Sequence, residues 1–122
     1  MSKTKAPWPS EIRLKKDRRS LVVSFEQGQS FELSAEFLRV SSPSAEVQGH
    51  SPEQRKTVPG KRNVEIIGVD PVGNYAVKLT FDDLHNTGIY TWAYFLELGQ
   101  NHDALWQRYL DELAEKGLSR DG

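Results

Sequence analysis

Residues 64–81 read VEIIGVDPVGNYAVKLTF, and the parsing of this stretch decides the fold. Val64, Ile66 and Val69 precede Asp70-Pro71-Val72-Gly73-Asn74, and Tyr75, Val77, Leu79 and Phe81 follow it with a strict period of two. Alternation of that kind puts the apolar side chains of a strand on one face. Proline presets its own φ, while glycine and asparagine tolerate positive φ, so the interruption reads as a chain reversal. The stretch predicts an antiparallel hairpin with one buried face.

Toward the C-terminus the period changes. Trp92, Phe95 and Leu96 fall on one face of a helix predicted over Thr91–Leu98, with Gly99 as its stop. Asn101 is placed to cap a second helix, in which Leu105, Trp106, Tyr109, Leu110 and Leu113 recur at helical spacing before Gly117. Trp92, Trp106 and Tyr109 read as core, and His102 as exposed. Toward the N-terminus the pattern is again strand-like. Ile12 and Leu14, then Leu21, Val23 and Phe25, then Phe31 and Leu33, make a three-strand meander with turns at KKDRR and Gln27-Gly28. Ser34 reads as the N-cap of a short helical turn carrying Phe37 and Leu38. Strands first and helices after give an α+β fold, an antiparallel meander and hairpin sheet packed against C-terminal helices. The domain is expected over residues 8–116, with flexible tails at 1–7 and 117–122.

Between the two strand regions, residues 41–62 hold Pro43, Gly49, Pro52, Pro59 and Gly60 and almost no apolar periodicity. A loop this long inside a small domain is usually functional or mobile.

Bulk properties narrow the function. At 122 residues, folding removes roughly two-thirds of the chain's surface from water, enough for one core. Only 37% of positions are hydrophobic, so three Trp, four Tyr and five Phe must supply much of the buried area. A net charge of −1 provides no global field for a nucleic-acid backbone or an anionic membrane, so neither is expected as a partner. The local basic clusters, Lys15-Lys16 with Arg18-Arg19 and Arg55-Lys56 with Lys61-Arg62, read as solvated turn and loop. The absence of cysteine excludes disulfides, thiolate catalysis, thiolate zinc sites and iron–sulfur ligation by the chain's own side chains. MSKTKAPWPS lacks the apolar core of a signal peptide, and no apolar run nears the ~20 residues of a membrane span. A soluble, cytoplasmic protein is expected.

No catalytic constellation stands out. Adjacent Asp82 and Asp83 would point to opposite faces of a strand, so they read as turn residues and not as an acid–base pair. Ser41, Ser42 and Ser44 lack a nucleophile elbow. His85, with His50, could hold a divalent zinc or iron ion; alternatively, it caps its turn by bonding backbone or a serine of the 41–44 loop. Trp8, between two prolines, either packs back on the sheet or meets a partner.

Several stretches taken in order, SFEQGQSFELSAEFLRV, SPSAEVQGH, VPGKRNVEIIGVDPVGNYAVKLTFDDLHNTGIYTWAYFLELG and LWQRYLDEL, resemble the N-terminal domain of gamma-butyrobetaine hydroxylase in its free-standing bacterial form, the DUF971 family. The resemblance covers roughly residues 8–113. It implies an accessory or interaction module, because the iron-bearing oxygenase domain of the hydroxylases is a separate unit. A fusion of the same domain to Mrp-type P-loop ATPases implies iron–sulfur or metal-cofactor assembly with a partner as the alternative role. It also implies a zinc site of three cysteines and a histidine, whose positions fall here on Ser42, Ser44, Val47 and His85. Hydroxyls and a valine do not replace thiolates at a structural zinc, so no cofactor is expected and only the histidine of the set survives. The site expected from this comparison is a pocket between the Leu38–His50 loop and the Asp82–Tyr90 turn, lined by Arg39, Ser42, Ser44, Glu46, His50 and His85. Its expected occupant is a protein partner, with Arg39 pairing an anion or anchoring the loop.

Overall fold

The computed structural model describes residues 8–49 and 51–121. Strands β1 (Pro9–Leu14), β2 (Ser20–Phe25) and β3 (Ser30–Ser34) form the expected antiparallel meander, in the order β1-β2-β3. Pro9 opens the edge strand β1, where a missing N–H costs no ladder bond. Cross-strand pairs Leu14–Leu21, Leu21–Leu33 and Val23–Phe31 line up the apolar residues, and the β2–β3 turn is closed by Gly28 at φ 107°.

Ser34 ends β3 and caps α1 (Ala35–Val40), its hydroxyl accepting the Phe37 N–H at 3.0 Å. The 41–62 segment, expected as unbroken loop, contains α2 (Ala45–Gln48) and a 3₁₀ turn at Pro52–Gln54. One turn of helix is too short to generate periodicity, so the sequence pattern misses it. Gly49 closes α2 with φ 68°, and a Cβ there would sit 2.5 Å from Gln54 Cβ.

The second sheet differs from a plain hairpin. β4 (Ile66–Val72) and β5 (Ala76–Phe81) pair as read, and β6 (Ile89–Thr91) adds a third antiparallel strand on β5. A bulge at Ile67 keeps Ile66 buried and leaves Ile67 half exposed, which reconciles the uneven spacing of Ile66 and Val69. Tyr75 is not on the buried face with Val77, Leu79 and Phe81. It lies in the turn and is exposed, because the register joins Val72 to Ala76.

Thr91 ends β6 and caps α3 (Trp92–Gln100), accepting the Tyr94 N–H at 3.1 Å. Gly99 lies within α3 and does not stop it: a Cβ there would meet the Phe31 ring at 2.4 Å, so this glycine lets the helix approach β3. Asn101 precedes α4 (His102–Glu115) but makes no side-chain cap; its amide donates back to the Glu97 carbonyl at 2.9 Å. The His102 ring lies 4.6 Å from Phe37, centroid to centroid.

The main core joins both sheets to α1 and α3 through Leu21, Val23, Phe37, Leu38, Ile66, Leu79, Phe81, Tyr90 and Phe95. A smaller cluster of Val40, Tyr109 and Leu113 fixes α4 over the loop. No helix among the described residues is long and apolar enough to cross a membrane.

Candidate functional site

α1 delivers the chain into Ser41-Ser42-Pro43-Ser44 directly opposite the turn that joins β5 to β6. The two segments interlock. Ser42 is fully buried, and Ser44 and His85 are nearly so. His85 Nε2 lies 2.9 Å from Ser42 Oγ, and His85 Nδ1 lies 3.2 Å from Glu46 Oε1. Ser44 Oγ is 2.7 Å from Thr87 Oγ1, and the Thr87 hydroxyl donates to Glu46 Oε1 at 3.3 Å.

One assignment of hydrogens satisfies the whole network. The Glu46 carboxylate can only accept, so His85 Nδ1 carries a proton toward it and Nε2 accepts the Ser42 hydroxyl. Ser42 Oγ in turn accepts the Ser44 N–H at 3.2 Å. Because Thr87 spends its proton on Glu46, Ser44 donates to Thr87 while its oxygen accepts the Glu46 N–H at 3.2 Å, which caps α2. In this assignment the histidine is neutral. Burial lowers its pKa from 6.5, and the Arg39 charge adds to that; Glu46 and Asp83 oppose it without prevailing.

Asp83 supports the turn from below. Its Oδ1 accepts the His85 N–H at 3.0 Å, while its Oδ2 takes Arg39 Nε at 2.8 Å and Lys61 Nζ at 2.6 Å. Burial raises the pKa of this carboxyl, but the bonds from Lys61, the His85 backbone and Arg39 outweigh it and hold the value at about 2. Arg39 Nη1 is buried with no hydrogen-bond partner among the described residues. Asp82 faces elsewhere and accepts the Glu65 N–H at 3.1 Å.

Arg39, Ser42, Ser44, Glu46 and His85 thus meet in one cluster, while His50 lies outside the described residues. The serines and His85 fill the space between the segments and bond to one another, so they line no open cleft. Gly88 lets the segments close: a Cβ there would fall 2.6 Å from Ser42 Oγ. Three participants escaped the sequence reading. Asp83 had a usable signal, an aspartate two residues before the residue whose N–H it accepts; Lys61 and Thr87 had none. Within the basic clusters, Lys15 pairs with Glu32, Arg55 with Glu112, Lys61 with Asp83 and Arg62 with Asp121.

The connectivity Ser42–His85–Glu46 is that of a serine–histidine–carboxylate relay, yet Ser42 has no surface for a substrate to reach. Nor do the residues suit a zinc ion. His85 Nε2 is engaged with Ser42 Oγ, and the third thiolate position is the buried, apolar Val47. Among the described residues no group of three or more His, Cys, Asp or Glu is placed to hold a metal.

At the tip of the turn Leu84 has φ 73° and is 78% exposed. Its neighbours are fixed: Leu84 N–H donates to the Phe81 carbonyl at 2.9 Å, and Phe81 N–H to the His85 carbonyl at 3.0 Å.

The family model for gamma-butyrobetaine hydroxylase-like proteins, N-terminal, matches residues 12–96. A protein with an NMR solution structure is 50% identical, with 94% of this chain and 90% of that one covered and a TM-score of 0.80. A second NMR solution structure is 46% identical, with 98% and 89% covered and a TM-score of 0.81. The crystal structure of a protein of unknown function from Acidithiobacillus ferrooxidans ATCC 23270, belonging to the DUF971 family, is 41% identical, with 75% and 91% covered and a TM-score of 0.62. Among curated proteins there is no match.

Proposed function

The chain belongs to the gamma-butyrobetaine hydroxylase-like, N-terminal family, and we propose that it acts as a non-catalytic accessory module that holds a protein partner with the turn over residues 82–88. Leu84 carries this reading. A leucine in the left-handed region costs roughly 1 kcal/mol, which glycine or asparagine would avoid, and this one turns a bare isobutyl group to solvent. Strained backbone conformations cluster at functional sites, and here the strain displays an apolar side chain. The base beneath it, Asp83 with Arg39, Lys61 and the His85 N–H, holds the backbone of the turn in place, which reduces the backbone entropy lost on association.

Metal or iron–sulfur handling, the alternative role implied by the resemblance, has no donor cluster in the described chain to support it. Two measurements test the proposal. Leu84→Asn should leave stability unchanged or raise it, and should weaken capture of the partner retained by the immobilised native chain. Undiminished capture by that variant would overturn the assignment. A fluorophosphonate probe should leave Ser42 unlabelled in the folded protein; stoichiometric labelling would mean that the buried relay opens to substrates.

A further inference from the structure

The segment that seals the His85 junction has a second side. Ser42 and Ser44 face the β5–β6 turn, whereas Ser41 and Pro43 face a cavity of about 300 Å³ bounded by α3, α4 and the loop at Arg55. That volume is at the lower end of the range for small-molecule sites. Its lining includes Val40, Leu98 and Leu105, the first two almost fully buried, and the rings of Tyr94 and Tyr109. Both phenols are committed as donors, Tyr94 to the Ser41 carbonyl at 2.5 Å and Tyr109 to the Val58 carbonyl at 2.6 Å. Burial pushes each up to about 12, so they stay neutral at physiological pH.

The charged groups of the lining are Arg55, Arg108 and Glu97. Arg55 is already paired with Glu112, whose other oxygen accepts the Thr57 hydroxyl at 3.2 Å. Arg108 Nε lies 3.9 Å from the same carboxylate, beyond hydrogen-bond distance, and its guanidinium is more than half exposed. Glu97 is exposed. The lining therefore combines apolar side chains, neutral phenols and an arginine fork with no hydrogen-bonded carboxylate among the described residues.

We infer that this cavity binds a small organic anion, a carboxylate on an aromatic or short aliphatic body, with Arg108 taking the carboxylate and the part-exposed Leu105 and Tyr94 the body. Guanidinium and carboxylate match in shape and charge, and the apolar part of the lining selects against a bare inorganic ion. The site is independent of the partner surface at Leu84 and survives if that assignment fails.

The test is titration of the ¹⁵N-labelled full chain with benzoate, benzamidine and inorganic phosphate, followed by NMR. Benzoate should give saturable shifts at the amides of Ser41, Tyr94 and Arg108, with benzamidine and phosphate each at least tenfold weaker. Arg108→Gln, at an exposed position where folding is not in question, should weaken benzoate about tenfold, as expected for one lost bond to a charged group. Glu97→Gln should tighten it by removing a like charge. No saturable shift with benzoate, equal binding of benzamidine or phosphate, or an unchanged benzoate affinity in Arg108→Gln would each overturn the inference.

Discussion

Asp83 ties the two segments of the junction together. It gathers two cations and a backbone N–H around one partly buried carboxylate. Asp83→Ala is expected to cost about 2–4 kcal/mol in urea unfolding, because Arg39 and Lys61 lose their common partner. Lys61→Ala, which leaves Arg39 in place, should cost about 1 kcal/mol. Two pH windows follow from the direction of each shift. The depressed Asp83 carboxyl contributes stability that is complete above its ordinary value of 3.8 and is lost as pH falls through about 2. His85 is also lower in the folded chain, so the unfolded state binds more protons below 6.5, and stability should decline as pH drops from there. Unfolding midpoints at pH 7.5 and 5.5 should show that decline in the native chain and a flatter response in His85→Gln. An equal slope in both proteins would mean that the buried ring is not the titrating group. Ser42, Ser44 and His85 could be brought together from the sequence because the resemblance sets them at ligand positions, the serines just after Leu38-Arg39. Lys61 and Thr87 could not, since a single lysine or threonine in a polar loop carries no pattern until the fold supplies its neighbour.

At the scale of elements, periodicity found what was long and missed what was short. The meander, β5 and both C-terminal helices repeat an apolar face several times, and each was readable from spacing alone. β6 has three residues and α2 four, fewer than either period needs to show itself. Gly99 is the instructive error. A glycine near the end of a helical pattern reads as a stop, yet here it sits inside α3 where the helix meets Phe31 of β3. Contact with a neighbouring element, and not backbone freedom, fixes it. Gly99→Ala should therefore destabilise by about 1–3 kcal/mol despite the better helix propensity of alanine, since the added methyl overlaps the base of the ring. The double variant Gly99→Ala with Phe31→Leu should recover part of that loss, measured by thermal or urea unfolding. A stabilised single variant would show that the helix has room to shift.

Across the whole molecule the least legible feature is the C-terminus. Residues 117–122 have no apolar pattern and read as a tail, but 118–121 lie along the loop, with Gly60 N–H donating to the Ser119 carbonyl at 2.9 Å and Arg62 N–H to the Arg120 carbonyl at 3.1 Å. Arg120 reaches Glu36 on α1 with two bonds of 2.7 Å and covers the Trp106 ring at 5.2 Å. This contact spans most of the chain, and neither residue announces the other in sequence. Glu36 is 6% exposed, and that guanidinium is paired with it inside the fold. Removing residues 118–122 should then cost about 2–4 kcal/mol, chiefly by stranding a buried carboxylate and less by the loss of surface contacts. The two causes separate in a cycle. If the stranded charge dominates, Glu36→Gln should destabilise the full chain and restore stability to the truncated one, giving a coupling well outside additivity. Additive effects of truncation and Glu36→Gln in urea unfolding would reduce the C-terminal segment to a passive strap.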